Sequence, residues 1–158
     1  MAIKHLNHEF GLIFAAVLGV VLAGCAGDTP KPVTSVSLND VTYVINKCKQ
    51  VKNNLECPMR FKTQGKAGRF FIGTDKSLVP VATDDTGKSY SASELYINGA
   101  EQMNRWYTIS TFKDLPGIIV FPDFAGDAKT VTRLSMPVAT HKLSNPDPVV
   151  FSYINIGG

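Results

Sequence analysis

Few residues in this chain are suited to chemistry, and they are scattered. Beyond the apolar N-terminal segment there is one histidine, His141, beside Lys142 in a stretch that reads as a loop. A Ser–His pair would have to use it, and a lone loop histidine is ordinarily just solvated. The chain has no Gly-x-Ser-x-Gly elbow, no His-Glu-x-x-His and no phosphate-binding loop. Glycosidase chemistry needs two placed carboxylates. The only glutamates after residue 24 are Glu56, Glu94 and Glu101, and Glu56 has a structural explanation given below. Asp84-Asp85, with Asp75 nearby, offers oxygen ligands to calcium. Their spacing departs from the Asp-x-Asp-x-Asp-Gly loop, and Asp shortly before Gly87 is ordinary turn chemistry. The expectation is a non-catalytic chain with no metal and no cofactor.

The elements that would position any site begin with the N-terminus. An apolar run from Phe10 to Gly24 follows a short head carrying Lys4 and Glu9. The run is roughly 15 residues, short of the roughly 20 that cross a bilayer as a helix, and it ends in small residues as a secretory signal does. Leu22-Ala23-Gly24-Cys25 resembles the lipobox of bacterial lipoproteins at all four positions. The resemblance implies cleavage before Cys25, lipidation of Cys25, and, with Ala26 rather than Asp next, sorting to the outer membrane. Residues 1–24 are then the signal peptide and 25–37 a lipidated cysteine with a proline-containing tether. Residues 38–158 form one domain of ordinary size.

With Cys25 assigned to lipid, Cys48 and Cys57 remain as an even pair. Metal binding, redox chemistry and a structural staple are the options. Zinc wants more ligands than His141 supplies, and redox dithiols favour Cys-x-x-Cys. A structural disulfide is expected. The net charge of +3 does not imply a nucleic-acid partner.

Leu55, Cys57, Met59 and Phe61 alternate with Glu56, Arg60 and Lys62, the pattern of a half-buried strand. Val41 to Lys49 reads as its partner, with turn residues at Lys52-Asn53-Asn54. Placing Cys48 opposite Cys57 sets Lys49 against Glu56, Asn46 against Met59, Ile45 against Arg60, Val44 against Phe61 and Tyr43 against Lys62. Opposite charges across strands are favourable. Further short strands are expected near Arg69 to Gly73, Leu78 to Thr83, Ser89 to Ile97, Trp106 to Phe112, Ile118 to Phe121, Thr130 to Val138 and Val149 to Ile156. Ile118 to Phe121 suits a strand buried on both faces. Only Ala92 to Asn104 could hold a short helix.

Short strands separated by Gly, Pro and Asp turns predict an all-β sandwich of about seven to nine antiparallel strands with one disulfide. The segment Asp84-Asp85-x-Gly-x-x-Tyr90, with Leu115-Pro116-Gly117 and Val120-Phe121, resembles immunoglobulin-like domains of secreted bacterial proteins. These are turn and core positions, so the resemblance implies a fold and no activity.

Two surfaces are candidates for binding. Lys47, Lys49, Arg60 and Lys62 share the solvent face of the proposed hairpin, within a basic run that includes Lys52, Lys66 and Arg69. They suit an anionic partner or an ordinary outer face whose lysines discourage strand aggregation. Arg105-Trp106-Tyr107 brings together residue types enriched at interfaces, although a single tryptophan also suits a core. The function expected is a lipid-anchored envelope binding or assembly module, tethered to the outer membrane in the periplasm or at the cell surface. Its contact would be an envelope protein or an anionic envelope polymer. The alternative is a periplasmic inhibitor or defence lipoprotein of the lysozyme-inhibitor kind, and an envelope hydrolase is a further one.

Overall fold

The computed structural model describes residues 31–75, 77–124, 126–140 and 146–157. The signal segment, Cys25 and residues 26–30 of the tether lie outside the described residues, as does His141.

The described chain is all β. Its strands are β1 (Ser35–Leu38), β2 (Val41–Ile45), β3 (Cys48–Val51), β4 (Asn54–Thr63), β5 (Gly68–Ile72), β6 (Val81–Asp84) and β7 (Ser89–Ser91). They continue with β8 (Glu94–Ile97), β9 (Ala100–Glu101), β10 (Arg105–Ile109), β11 (Asp114–Phe121), β12 (Thr130–Val138) and β13 (Asp147–Gly157). The strand order β7-β6-β12-β13-β3-β4-β11-β8-β9 curls into two facing layers, with β1 and β2 beside β4 and β5 paired to β10. The sandwich expectation holds. Thirteen strands replace about seven to nine because several are halves of one bent strand, as β2 and β3 are along β4. One pair is parallel: the end of β13 runs alongside β3, with Ile156 opposite Cys48, and joins the layers.

Strand β4 folds as its alternation dictates. Leu55, Cys57, Met59 and Phe61 are buried, and Cys48 and Cys57 form a disulfide with Cα atoms 4.1 Å apart. Lys49 faces Glu56 in register. Beyond Lys49 the proposed register fails by one residue. Tyr43 faces Phe61, Val44 faces Arg60 and Ile45 faces Met59. Burial is the cause. Val41, Tyr43 and Ile45 go inside, Asn46 and Lys47 are both exposed, and Cys48 is inside again. The two exposed residues in succession act as a bulge that keeps the larger apolar set and the disulfide on one face.

The helix considered for Ala92 to Asn104 is instead a hairpin of β8 and β9. Leu95 and Ile97 are buried while their neighbours are half-exposed, the period-two pattern of a strand. Asn98 and Gly99 both take positive φ, at 52° and 79°, which suits the tight turn between twisted strands. In β11, Gly117, Ile119, Val120 and Phe121 are buried, but Ile118 remains half-exposed. Strand β13 starts earlier than expected, at Asp147, with Pro148 across from Pro137.

Tyr43, Phe61 and Phe70 form the aromatic centre of the core. Phe61 and Phe70 stack at 5.4 Å, and Tyr43 meets both edge-on. Leu134, Met136 and Val138 of β12, with Val149 and Phe151 of β13, are buried in the other layer.

Candidate functional site

The structure separates the two candidate surfaces and changes the character of each. Lys49, Arg60 and Lys62 do share the outer face of the sheet. Acids answer all three: Lys49 reaches Glu56 at 3.3 Å, Arg60 reaches Asp114 at 2.7 Å, and Lys62 reaches Asp114 at 3.5 Å. Asp114 opens β11 directly opposite Lys62. The hydrogen bond from Arg60 holds the Asp114 carboxyl below its ordinary range against a burial effect of opposite sign, and in return raises the guanidinium further. Lys47 sits in the bulge and packs across Gly157, where an added Cβ would fall 2.5 Å from its side chain. Two carboxylates thus offset about half of the charge of this four-cation face.

Asp84 is spoken for by its own loop. One carboxylate oxygen accepts from the Thr86 N–H (2.9 Å), the Thr86 hydroxyl (2.7 Å) and the Lys88 N–H (3.0 Å), and the other from the Tyr90 hydroxyl (2.9 Å). Burial alone would raise this carboxyl, but the hydrogen bonds outweigh it and hold it low. Asp85 accepts from the Lys129 N–H. Both acids shape a turn.

Arg105, Trp106 and Tyr107 do not act as a block. Strand alternation turns Tyr107 inward, 5.9 Å from Phe70, while Trp106 lies on the other face of the β5–β10 ribbon. There it meets Phe71 at 5.6 Å and carries the Arg69 guanidinium 4.3 Å above its ring. Arg69 reads in the sequence only as one cation in a basic run. Its pairing with tryptophan comes from the register, in which Trp106 faces Phe71 and Thr108 faces Arg69. An (i, j±2) neighbour on one face is within reach of long side chains, but nothing local announces it.

Arg69 also lines an open cleft of about 330 Å3 with Asn39, Asp40, Ala67 and Thr140. Asn39 and Asp40 form the tight turn between β1 and β2, both at positive φ, and Asn39 donates to the Thr140 hydroxyl at 3.0 Å. Elsewhere, Tyr96, Gly99, Pro116, Gly117 and Ile118 line a shallower, apolar hollow of about 250 Å3 on the outer sheet face.

Beside the polar cleft, the chain crosses between sheets twice, from β4 to β5 and from β10 to β11. Thr63, almost fully buried, locks this corner: its hydroxyl donates to the Ser110 carbonyl and accepts from the Lys113 N–H. Phe112 stands at the tip, 79% exposed, in the left-handed region at φ 52°.

No helix among the described residues is long and apolar enough to cross a membrane. No protein-family model matches the chain, and no curated protein does. Among solved structures the chain is similar to MPT63, a secreted protein from Mycobacterium tuberculosis. Identity is 14%, with 75% of this chain and 95% of that one covered, at a TM-score of 0.42.

Proposed function

We propose that this protein is a non-catalytic, lipid-anchored domain of the bacterial envelope that works by binding. The observation that carries the binding role is the concentration of uncommitted groups at one end. Strand β1 runs toward the Asn39-Asp40 turn, so the chain leading into the domain approaches from the other side. At the end it points to lie the Arg69–Trp106 pair, the polar cleft and the exposed Phe112. A domain tethered through residues before β1 would present that end away from its point of attachment. The residues Leu22-Ala23-Gly24-Cys25 support the anchor, and a structural disulfide suits an oxidising compartment. Against glycoside hydrolysis, two of the three glutamates after residue 24 are committed, Glu56 to Lys49 and Glu94 to the Tyr96 hydroxyl, and Asp114 is taken by Arg60 and Lys62. Tethering raises the effective concentration of the domain for its second contact.

The test expresses the whole chain in a lipoprotein-processing bacterium with labelled palmitate. Label should enter the wild type and not Cys25→Ala. Cross-linking in intact cells should then join the domain to one envelope component through the Arg69 end, with the product reduced in Arg69→Gln. An unlabelled wild type would remove the anchor. Cross-linking unaffected by Arg69→Gln would move the contact elsewhere.

A further inference from the structure

The polar cleft has an unusual charge arrangement. Arg69 and Asp40 line the same cavity, yet among the described residues neither belongs to an ion pair. Opposite charges sharing a small cleft would ordinarily be expected to pair. Here the guanidinium is engaged by an aromatic ring instead. The indole of Trp106 carries the guanidinium at 4.3 Å, an attraction to the ring that leaves its N–H donors unspent. The Asn39-Asp40 turn, tied to Thr140 through the Asn39 amide, sets the backbone position of the acid. The cleft therefore offers a planar donor fork, a carboxylate acceptor, and the amide and hydroxyl of Asn39 and Thr140.

We propose that this cleft binds a carboxylate-bearing sugar, with the carboxylate on the Arg69 fork and ring hydroxyls on Asp40, Asn39 and Thr140. An arginine fork matches a carboxylate bidentately. Asp40 selects for the rest of the ligand: it repels a multiply charged phosphate and accepts from hydroxyls, so the favoured ligand carries one negative charge among several O–H donors. A cavity of about 330 Å3 is at the small end of small-molecule sites and suits one or two sugar rings. Trp106 acts here as a positioning residue, through Arg69. This deepens the binding-module reading above and takes its cellular setting from it, but the ligand chemistry stands on the cleft alone.

Trp106 is the sole tryptophan of the chain, so its fluorescence reports on the site directly. The whole chain, in detergent, is titrated with oligogalacturonate, with neutral malto-oligosaccharide and with inorganic phosphate. Saturable change is expected with oligogalacturonate only. Affinity should fall about tenfold or more in Arg69→Gln, with partial retention in Arg69→Lys, which keeps the charge and loses the fork. Asp40→Asn is the sharper variant. Loss of hydroxyl contacts weakens binding, whereas a plain anion trap would bind more tightly once the acid is gone. Changing Lys47, Lys49, Arg60 and Lys62 together to Gln should leave the titration unchanged. Tighter binding in Asp40→Asn, equal response to the neutral sugar, or an Arg69→Gln variant that binds as well as wild type would each overturn the proposal. So would no saturation in fluorescence or calorimetry. Envelope cross-linking through this end without any sugar response would sink the sugar and leave the binding module standing.

Discussion

Asp114 reaches the Arg60 guanidinium at 2.7 Å from the neighbouring strand, diagonally across from its own register partner Lys62. One acid at the start of β11 is thus shared by two cations that local sequence leaves unopposed, and offsets one of their two charges. Asp114→Asn is expected to uncover a basic face. The variant should elute from a cation exchanger at higher salt than wild type, by more than the same change at exposed, unpaired Asp147 produces. Equal shifts would mean that the pairing has no electrostatic consequence at the surface.

Tyr43 is fully buried, and its hydroxyl has no hydrogen-bond partner among the described residues. Burial also pushes its ionisation well above the ordinary phenol range. An unsatisfied buried hydroxyl costs about 1–3 kcal/mol. Tyr43→Phe keeps the aromatic contacts with Phe61 and Phe70 and removes the orphan, so it should be neutral or raise stability by about 1 kcal/mol. Tyr43→Ala should cost about 3–5 kcal/mol, as for loss of other large buried aromatics. Urea unfolding of both variants decides; a clearly destabilised Phe variant would show that the hydroxyl has a partner after all.

Phe112 combines exposure with a left-handed backbone, a conformation that disfavours a bulky side chain by about 1–2 kcal/mol. Phe112→Gly or Phe112→Asn should therefore raise the unfolding midpoint, with Asn retaining most of the gain. A drop in midpoint for both would show that the ring makes a stabilising contact.

Asp84 sets a pH dependence. Its folded carboxyl lies below the ordinary range because the bonds from Thr86, Tyr90 and Lys88 outweigh burial. The stabilisation is thus fully present above the unfolded carboxylate pKa near 4 and is lost as pH falls through the lower folded value. Asp84→Asn should be less stable than wild type at pH 7, and the gap should close in acid. Urea midpoints from pH 7 to pH 3 measure it; a constant gap would remove ionisation from the account.

The layered fold was legible where periodicity is local. β4, the disulfide, the Lys49–Glu56 pair and the buried side of β12 follow from alternation and spacing. The bulge was missed: a single register through Cys48 and Cys57 places Tyr43 and Ile45 outside, whereas burial of Val41, Tyr43 and Ile45 together with Cys48 needs an extra residue between them. The helix considered for Ala92 to Asn104 arose because a short apolar segment fits either period, and the Asn98-Gly99 turn decides it. The cleft was not legible. Asn39, Arg69, Trp106 and Thr140 are brought together by strand pairings between distant segments, and local patterning holds no record of them.

The parallel join of β13 to β3 also has a kinetic meaning. Ile156 finds Cys48 across roughly 100 intervening positions, and contacts of that range form slowly because the loop must close first. This join therefore waits for the last strand, whereas the Phe71–Ala139 bridge links β5 to the end of β12 without it. The Cys48–Cys57 disulfide closes a short loop within the hairpin that receives β13, so crosslinking holds that docking edge locally. Until β13 is in place, β3 keeps one unpaired edge.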